Sequence, residues 1–193
     1  VRVGVLGPLA LDTASGPTRV GGARLRALPA RLALDAGRAV RPATLVEALW
    51  GEADPAEHLH ALQSLASRLR RVLGDPGLLT SGPAGYRLAV EPEAVDAVRF
   101  ERLARAGRRL HAQSRPAEAA ATLRETLSLW RGPALADVRE APFAAADAER
   151  LERARLTAPS GPPLADRTQH AGRGARAGGK CRWRLLSFGH GTC

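Results

Sequence analysis

Between Pro55 and Leu73 the apolar residues Leu59, Leu62, Ala66, Leu69 and Leu73 recur every three or four positions, with His60, Ser64, Ser67, Arg68 and Arg71 set among them. At 100° per residue the first group falls in one arc and the second in the opposite arc, the mark of an amphipathic helix seated on a core. Gly74-Asp75-Pro76-Gly77 stops it. Apolar runs at 78–80 and 86–90 then flank Ser81-Gly82-Pro83-Ala84-Gly85, which predicts a hairpin with a five-residue loop.

Upstream, Val1 to Leu6, Leu9 to Leu11 and Thr18 to Val20 are short apolar or β-branched runs divided by Gly7-Pro8 and Ser15-Gly16-Pro17, predicting three antiparallel strands. Leu25, Leu28 and Leu32 mark a helix over 23–36, closed by Gly37. Pro29 and Arg31 interrupt that pattern, because an interior proline removes a hydrogen bond and clashes with the preceding turn; a kinked or weak helix is expected. A short helix over 43–50 follows Pro42, with Leu45, Leu49 and Trp50 facing inward.

Beyond Pro92 the pattern is helical. Val98, Leu103, Ala106 and Leu110 mark one helix, Ala119, Leu123, Leu127 and Trp130 a second, and Phe143, Ala146 and Leu151 a third starting at Pro142 and running to about Thr157. Such a pair of helices with a short turn is how a helical-repeat array begins. The expected organisation is a first domain over 1–92, a helical segment over 93–158, and a disordered basic tail over 159–193 rich in Gly, Pro, Arg and Ser, read as a truncation or frame-change product.

The net charge of +10 makes a polyanionic partner plausible, but the three segments carry +3, +2 and +5, so half of it sits in the tail and the DNA argument rests on patterning. Ser and Arg on one helical stripe can enter a major groove, where Arg donates two bonds to guanine and Ser meets base or phosphate. A hairpin beside such a helix can lie along the adjoining backbone. Ser64, Ser67, Arg68 and Arg71 are the expected groove-facing residues, and His60, Arg70, Tyr86 and Arg87 the expected phosphate or wing contacts. Arg70 falls about a quarter turn off the stripe, hence its assignment to phosphate.

The order of three strands, three helices and a hairpin resembles an OmpR-type winged helix, and Leu62 to Gly74 resembles its recognition helix, Gly85-Tyr86-Arg87-Leu88 its closing wing strand. Val95 to Leu103, with Leu129-Trp130-Arg131-Gly132-Pro133-Ala134-Leu135-Ala136-Asp137-Val138, resembles the bacterial transcriptional activator domain of the antibiotic regulatory (SARP) family; Val5-Leu6-Gly7-Pro8-Leu9 and Ala48-Leu49-Trp50-Gly51 fit it too. The fold class expected is therefore an α+β winged helix followed by an all-α, TPR-like helical segment. The resemblance implies an activator that binds direct repeats in promoters of secondary-metabolite genes as a homodimer, contacts RNA polymerase, and resides on the nucleoid in the cytoplasm. The competing readings are a protein-interaction fragment that does not bind DNA, and a defective truncated regulator.

No catalytic site, cofactor or metal is expected, and no membrane association. Gly174 to Lys180 matches the start of a phosphate-binding loop, but Cys181 stands where a hydroxyl would hold Mg²⁺ and no strand precedes it. His170, Cys181, His190 and Cys193 lack the paired spacing of a zinc site. The carboxylates of 93–158 alternate with arginines at helical spacing, which predicts ion pairs on a solvated face.

Overall fold

The computed structural model describes residues 1–52 and 54–158. The chain opens with strands β1 (Arg2–Gly4), β2 (Ala10–Thr13) and β3 (Gly16–Thr18), joined as an antiparallel sheet in that order with Val3 opposite Leu11 and Leu11 opposite Thr18. Helices α1 (Ala23–Leu34), α2 (Pro42–Trp50) and α3 (Pro55–Leu73) follow, then the hairpin strands β4 (Leu79–Gly82) and β5 (Gly85–Leu88). The third strand lies two residues earlier than its sequence suggests. The reason is Gly16, whose φ of 98° lets the chain reverse at Ala14-Ser15 and return at once.

The remaining helices are α4 (Asp96–Ala112), α5 (Pro116–Ser128) and α6 (Ala144–Thr157). Between α5 and α6 the chain has no regular structure. It nevertheless holds the N-terminus: Arg131 donates its amide to the carbonyl of Leu6 at 2.8 Å, and Leu135 to that of Val5 at 2.9 Å. This is why β1 is shorter than the apolar run from Val1 to Leu6 implies. Val5 and Leu6 give their hydrogen bonds to the helical segment, not to β2.

One core serves all of this. Val3, Val5 and Leu6 are buried with Leu28, Leu32, Leu45, Leu62 and Leu69 on one side and Phe100, Leu135 and Leu151 on the other. Val3 also bridges Val95 in parallel fashion, so the chain at the expected 92/93 boundary is stitched to the first strand.

Helix α1 is unbroken through Pro29, which is itself buried in the core. Arg31 does not interrupt the helix either, since it reaches Asp35 one turn on as an ion pair. The inward faces of the later helices differ from the predicted ones. In α4 the buried set is Ala97, Phe100, Leu103, Ala104 and Gly107, while Val98, Ala106 and Leu110 lie at its edges. In α5 Thr126 takes the buried place expected for Leu127, which is exposed; its hydroxyl donates to the Thr122 carbonyl at 2.7 Å, so the burial leaves no donor unpaired.

Candidate nucleic-acid interface

Helix α3 starts on Pro55 with Asp54 as its cap, whose Oδ1 accepts the amide of Ala56 at 2.9 Å, and ends on Gly74 at φ 71°, the left-handed closure glycine allows. Leu62, Leu65, Ala66, Leu69 and Leu73 hold it on the core. Leu59 does not join them. It lies in the same arc but is 39% exposed, because the first turn and a half of α3 stand clear of the core.

His60, Ser64, Ser67, Arg68 and Arg71 are all exposed, as the period requires, and Gln63 stands among them. The period alone does not single out Gln63: it stands seven residues before Arg70 and so within about 20° of it, at the wing-side edge of the stripe. Its amide, with both donors and an acceptor, adds a group able to pair with adenine.

The wing next to α3 is fixed at two points. Val40 and Tyr86 exchange backbone hydrogen bonds at 2.7 and 2.9 Å, an isolated antiparallel bridge that ties the chain before α2 to the two-stranded hairpin. Arg70 donates from Nε to the carbonyl of Leu79 at 2.9 Å and from Nη2 to Ser81 Oγ at 3.0 Å. The loop between β4 and β5 has two residues, Pro83 and Ala84, where five were expected; Ser81 pairs with Tyr86 and Gly82 with Gly85, extending the ladder to the tip.

Two of the expected phosphate contacts are thereby corrected. Arg70 is half-buried and spends its guanidinium on the wing, since a position a quarter turn off the exposed stripe faces β4. Tyr86 is 9% exposed and belongs to the core. Alternation along β5 turns Tyr86 and Leu88 inward and leaves Arg87 outward and exposed.

Charge pairing is uneven along the chain. Among the described residues nine of the eleven arginines up to residue 92 make no ion pair, all but Arg26 and Arg31, against four of the twelve in 93–158, Arg108, Arg109, Arg124 and Arg139. Unpaired guanidinium groups are therefore concentrated in the first ninety residues, while the helical segment pairs most of its own and leaves these four. Among the described residues no three His, Cys, Asp or Glu side chains gather as a metal would need, and no helix is long and apolar enough to cross a membrane. The phosphate-loop and zinc candidates of the tail lie outside the described residues.

Strands, three helices and a pinned wing, with an exposed polar stripe on the third helix, define a winged-helix protein carrying a helical segment. Residues 95–176 match the family described as bacterial transcriptional activator domain, a match that continues past the described residues into the stretch expected as tail. The chain is 41% identical over 165 residues to transcriptional regulator RedD of Streptomyces coelicolor, covering 82% of this chain and 47% of that protein. It is 39% identical over 157 residues to regulatory protein AfsR of the same organism, covering 81% of this chain and 16% of that one. The structure of Mycobacterium tuberculosis EmbR in complex with a low-affinity phosphopeptide superposes with a TM-score of 0.75 at 33% identity, over 81% of this chain and 43% of that chain. Over about four fifths of its length the chain is thus similar to SARP-type transcriptional regulators. It spans less than half the length of these relatives.

Proposed function

We propose that this chain binds promoter DNA in a sequence-specific manner, with α3 in the major groove, and activates transcription of secondary-metabolite genes. The observation that carries this is the stripe of His60, Gln63, Ser64, Ser67, Arg68 and Arg71, exposed together on one helix, with Arg68 and Arg71 making no ion pair among the described residues. An α-helix with its side chains is roughly 10–12 Å across, and the major groove of B-DNA about 12 Å wide, so a helix that turns this face outward fits. Arg68 and Arg71 donate to guanine; Ser64 and Ser67 reach base edge or phosphate; His60 and Arg87 contact the backbone phosphates. Two copies occupy direct repeats, and the helical segment, the start of a TPR-like array, contacts RNA polymerase.

The test is selection of bound duplexes from a random-sequence pool, followed by titration of the Arg68→Ala and Arg71→Ala variants on the selected site. Each variant loses on the order of 1–3 kcal/mol per base contact while its thermal melt is unchanged. A pool that yields no enriched sequence, or variants that bind the site as tightly as the parent, overturns the reading.

A further inference from the structure

Ala61 and Arg70 are nine residues apart, two and a half helical turns, and so lie on opposite flanks of α3. The Arg70 flank carries the wing. The other flank opens into a groove of about 1000 Å³, walled by Ala61, Ser64 and Arg68 of α3, by Trp50, by the start of α1 with Arg24, and by residues 136–141 of the helical segment. Two residues of the recognition stripe, Ser64 and Arg68, thus form one wall of it, and the irregular segment before α6 forms the facing wall.

The charges in this groove are divided in a particular way. Arg26 is paired with Asp137 at 3.3 Å, and Asp137 also accepts the amide of Leu9 at 2.9 Å, so both are committed within the protein. Arg24 and Arg139 are exposed and have no ion-pair partner among the described residues; Glu140 is the one acid of the groove outside that pair. Arg24 lies over the Trp50 ring, 5.8 Å from its centroid. A cation–π contact of this kind holds a guanidinium by its charge and uses none of its N–H groups, which remain free to donate. A helix in the major groove has a sugar-phosphate strand on each flank, and phosphate oxygens are what such free, planar donors recognise.

We infer that this groove seats the DNA backbone on the flank of α3 opposite the wing, with Arg24 and Arg139 as its phosphate contacts, so that the helical segment itself takes part in holding DNA. The inference rests on α3 being the groove-reading helix. It extends the interface to a residue sixty-six positions past the end of that helix and assigns Trp50 the task of positioning Arg24.

Fluorescence anisotropy of the full chain on a labelled mixed-sequence duplex, titrated with salt, tests it. Arg24→Ala and Arg139→Ala should each weaken binding on any sequence and lower the slope of log affinity against log salt by about 1. Trp50→Leu should mimic Arg24→Ala, while Arg124→Ala, an exposed arginine that does not line the groove, should leave the slope unaltered. Parent-like slopes for Arg24→Ala and Arg139→Ala, with Arg68→Ala still impaired, overturn the inference and leave the function proposed above intact. A parent chain with no salt-dependent binding at all overturns both. Hydrogen exchange of each variant, matched to the parent, keeps a folding defect from passing as either result.

Discussion

The carboxylate of Asp96 accepts the backbone amide of Val5 at 2.8 Å, joining residues that are ninety-one positions apart. Its second oxygen takes the amide of Leu6 at 3.0 Å and Arg131 Nη2 at 3.3 Å. One side chain at the start of α4 therefore satisfies two donors of the N-terminal segment that no strand partner reaches. Arg131 completes the arrangement by donating to the carbonyl of Pro8 at 2.8 Å.

Asp96→Ala strands both amides and the facing guanidinium, and an unpaired buried donor costs about 1–3 kcal/mol, so a loss of about 3 kcal/mol in urea unfolding is expected. The pH dependence has a distinct sign. Burial pushes the Asp96 carboxyl above its ordinary range, with the Val5 and Leu6 amides and Arg131 pulling the other way. The folded state then holds the proton more tightly than the unfolded chain, so this group's contribution falls as pH rises from the unfolded value through the folded one. Asp96→Asn should flatten that part of the stability-pH curve; a curve with the parent's slope there refutes the assignment.

Arg70→Ala should loosen the wing without altering the base-reading stripe. The lost bonds to Leu79 and Ser81 are worth about 1 kcal/mol together, since the Ser81 end is open to water. Faster amide exchange across 79–88, with sequence preference retained in the enriched pool, is the expected pair of results. Arg70→Lys should behave like the alanine variant, because an ammonium cannot span both acceptors with the fixed fork of a guanidinium.

Gly85→Ala should be severe. Gly85 has φ 116°, and a Cβ there would overlap the Val40 carbonyl group, which is backbone and cannot swing aside. A loss of more than about 3 kcal/mol is expected by thermal melt, as the hairpin must leave the chain before α2. A melt within experimental error of the parent would show that Val40 and Tyr86 do not pair in solution.

Gly107→Ala offers a change of sign. In the parent a new Cβ would meet Leu123 Cδ2 at 2.9 Å and Cγ at 3.0 Å, so overpacking of about 1–3 kcal/mol outweighs the gain of about 1 kcal/mol in helix propensity. In a Leu123→Ala background that neighbour is gone, and the same substitution should stabilise by up to about 1 kcal/mol. Two melts in each background measure the coupling directly.

Much of this was legible beforehand because α3 and β5 have regular periods with strong contrast between their faces. The outward set on α3 follows from a 100° step and five apolar residues, four of which the core indeed buries. Leu59 was misread for a reason of length: periodicity tells which side of a helix is apolar and says nothing of where the core ends along its axis. In α4 and α5 the alanine-rich faces differ little, so Phe100 and Thr126 took places that spacing gave to Val98 and Leu127. The two-residue turn at Pro83-Ala84 was hidden because Ser81 and Gly82, typical turn residues, continue the ladder.

By itself the sequence determined the secondary elements, their order and the composition of the α3 stripe, all of which depend on neighbours within a few positions. The tertiary structure decided which arginines are spoken for. Arg70 and Arg71 are adjacent and chemically identical, yet one is bound to Leu79 and Ser81 and the other is exposed, because only the wing's placement supplies acceptors on one flank. The same is true of Asp96, whose partners lie at the far end of the chain, and of the groove that Arg139 and Arg68 both line. Hydrogen bonds and charge act over a few ångströms of space, and no local pattern records which distant segments will come within that reach.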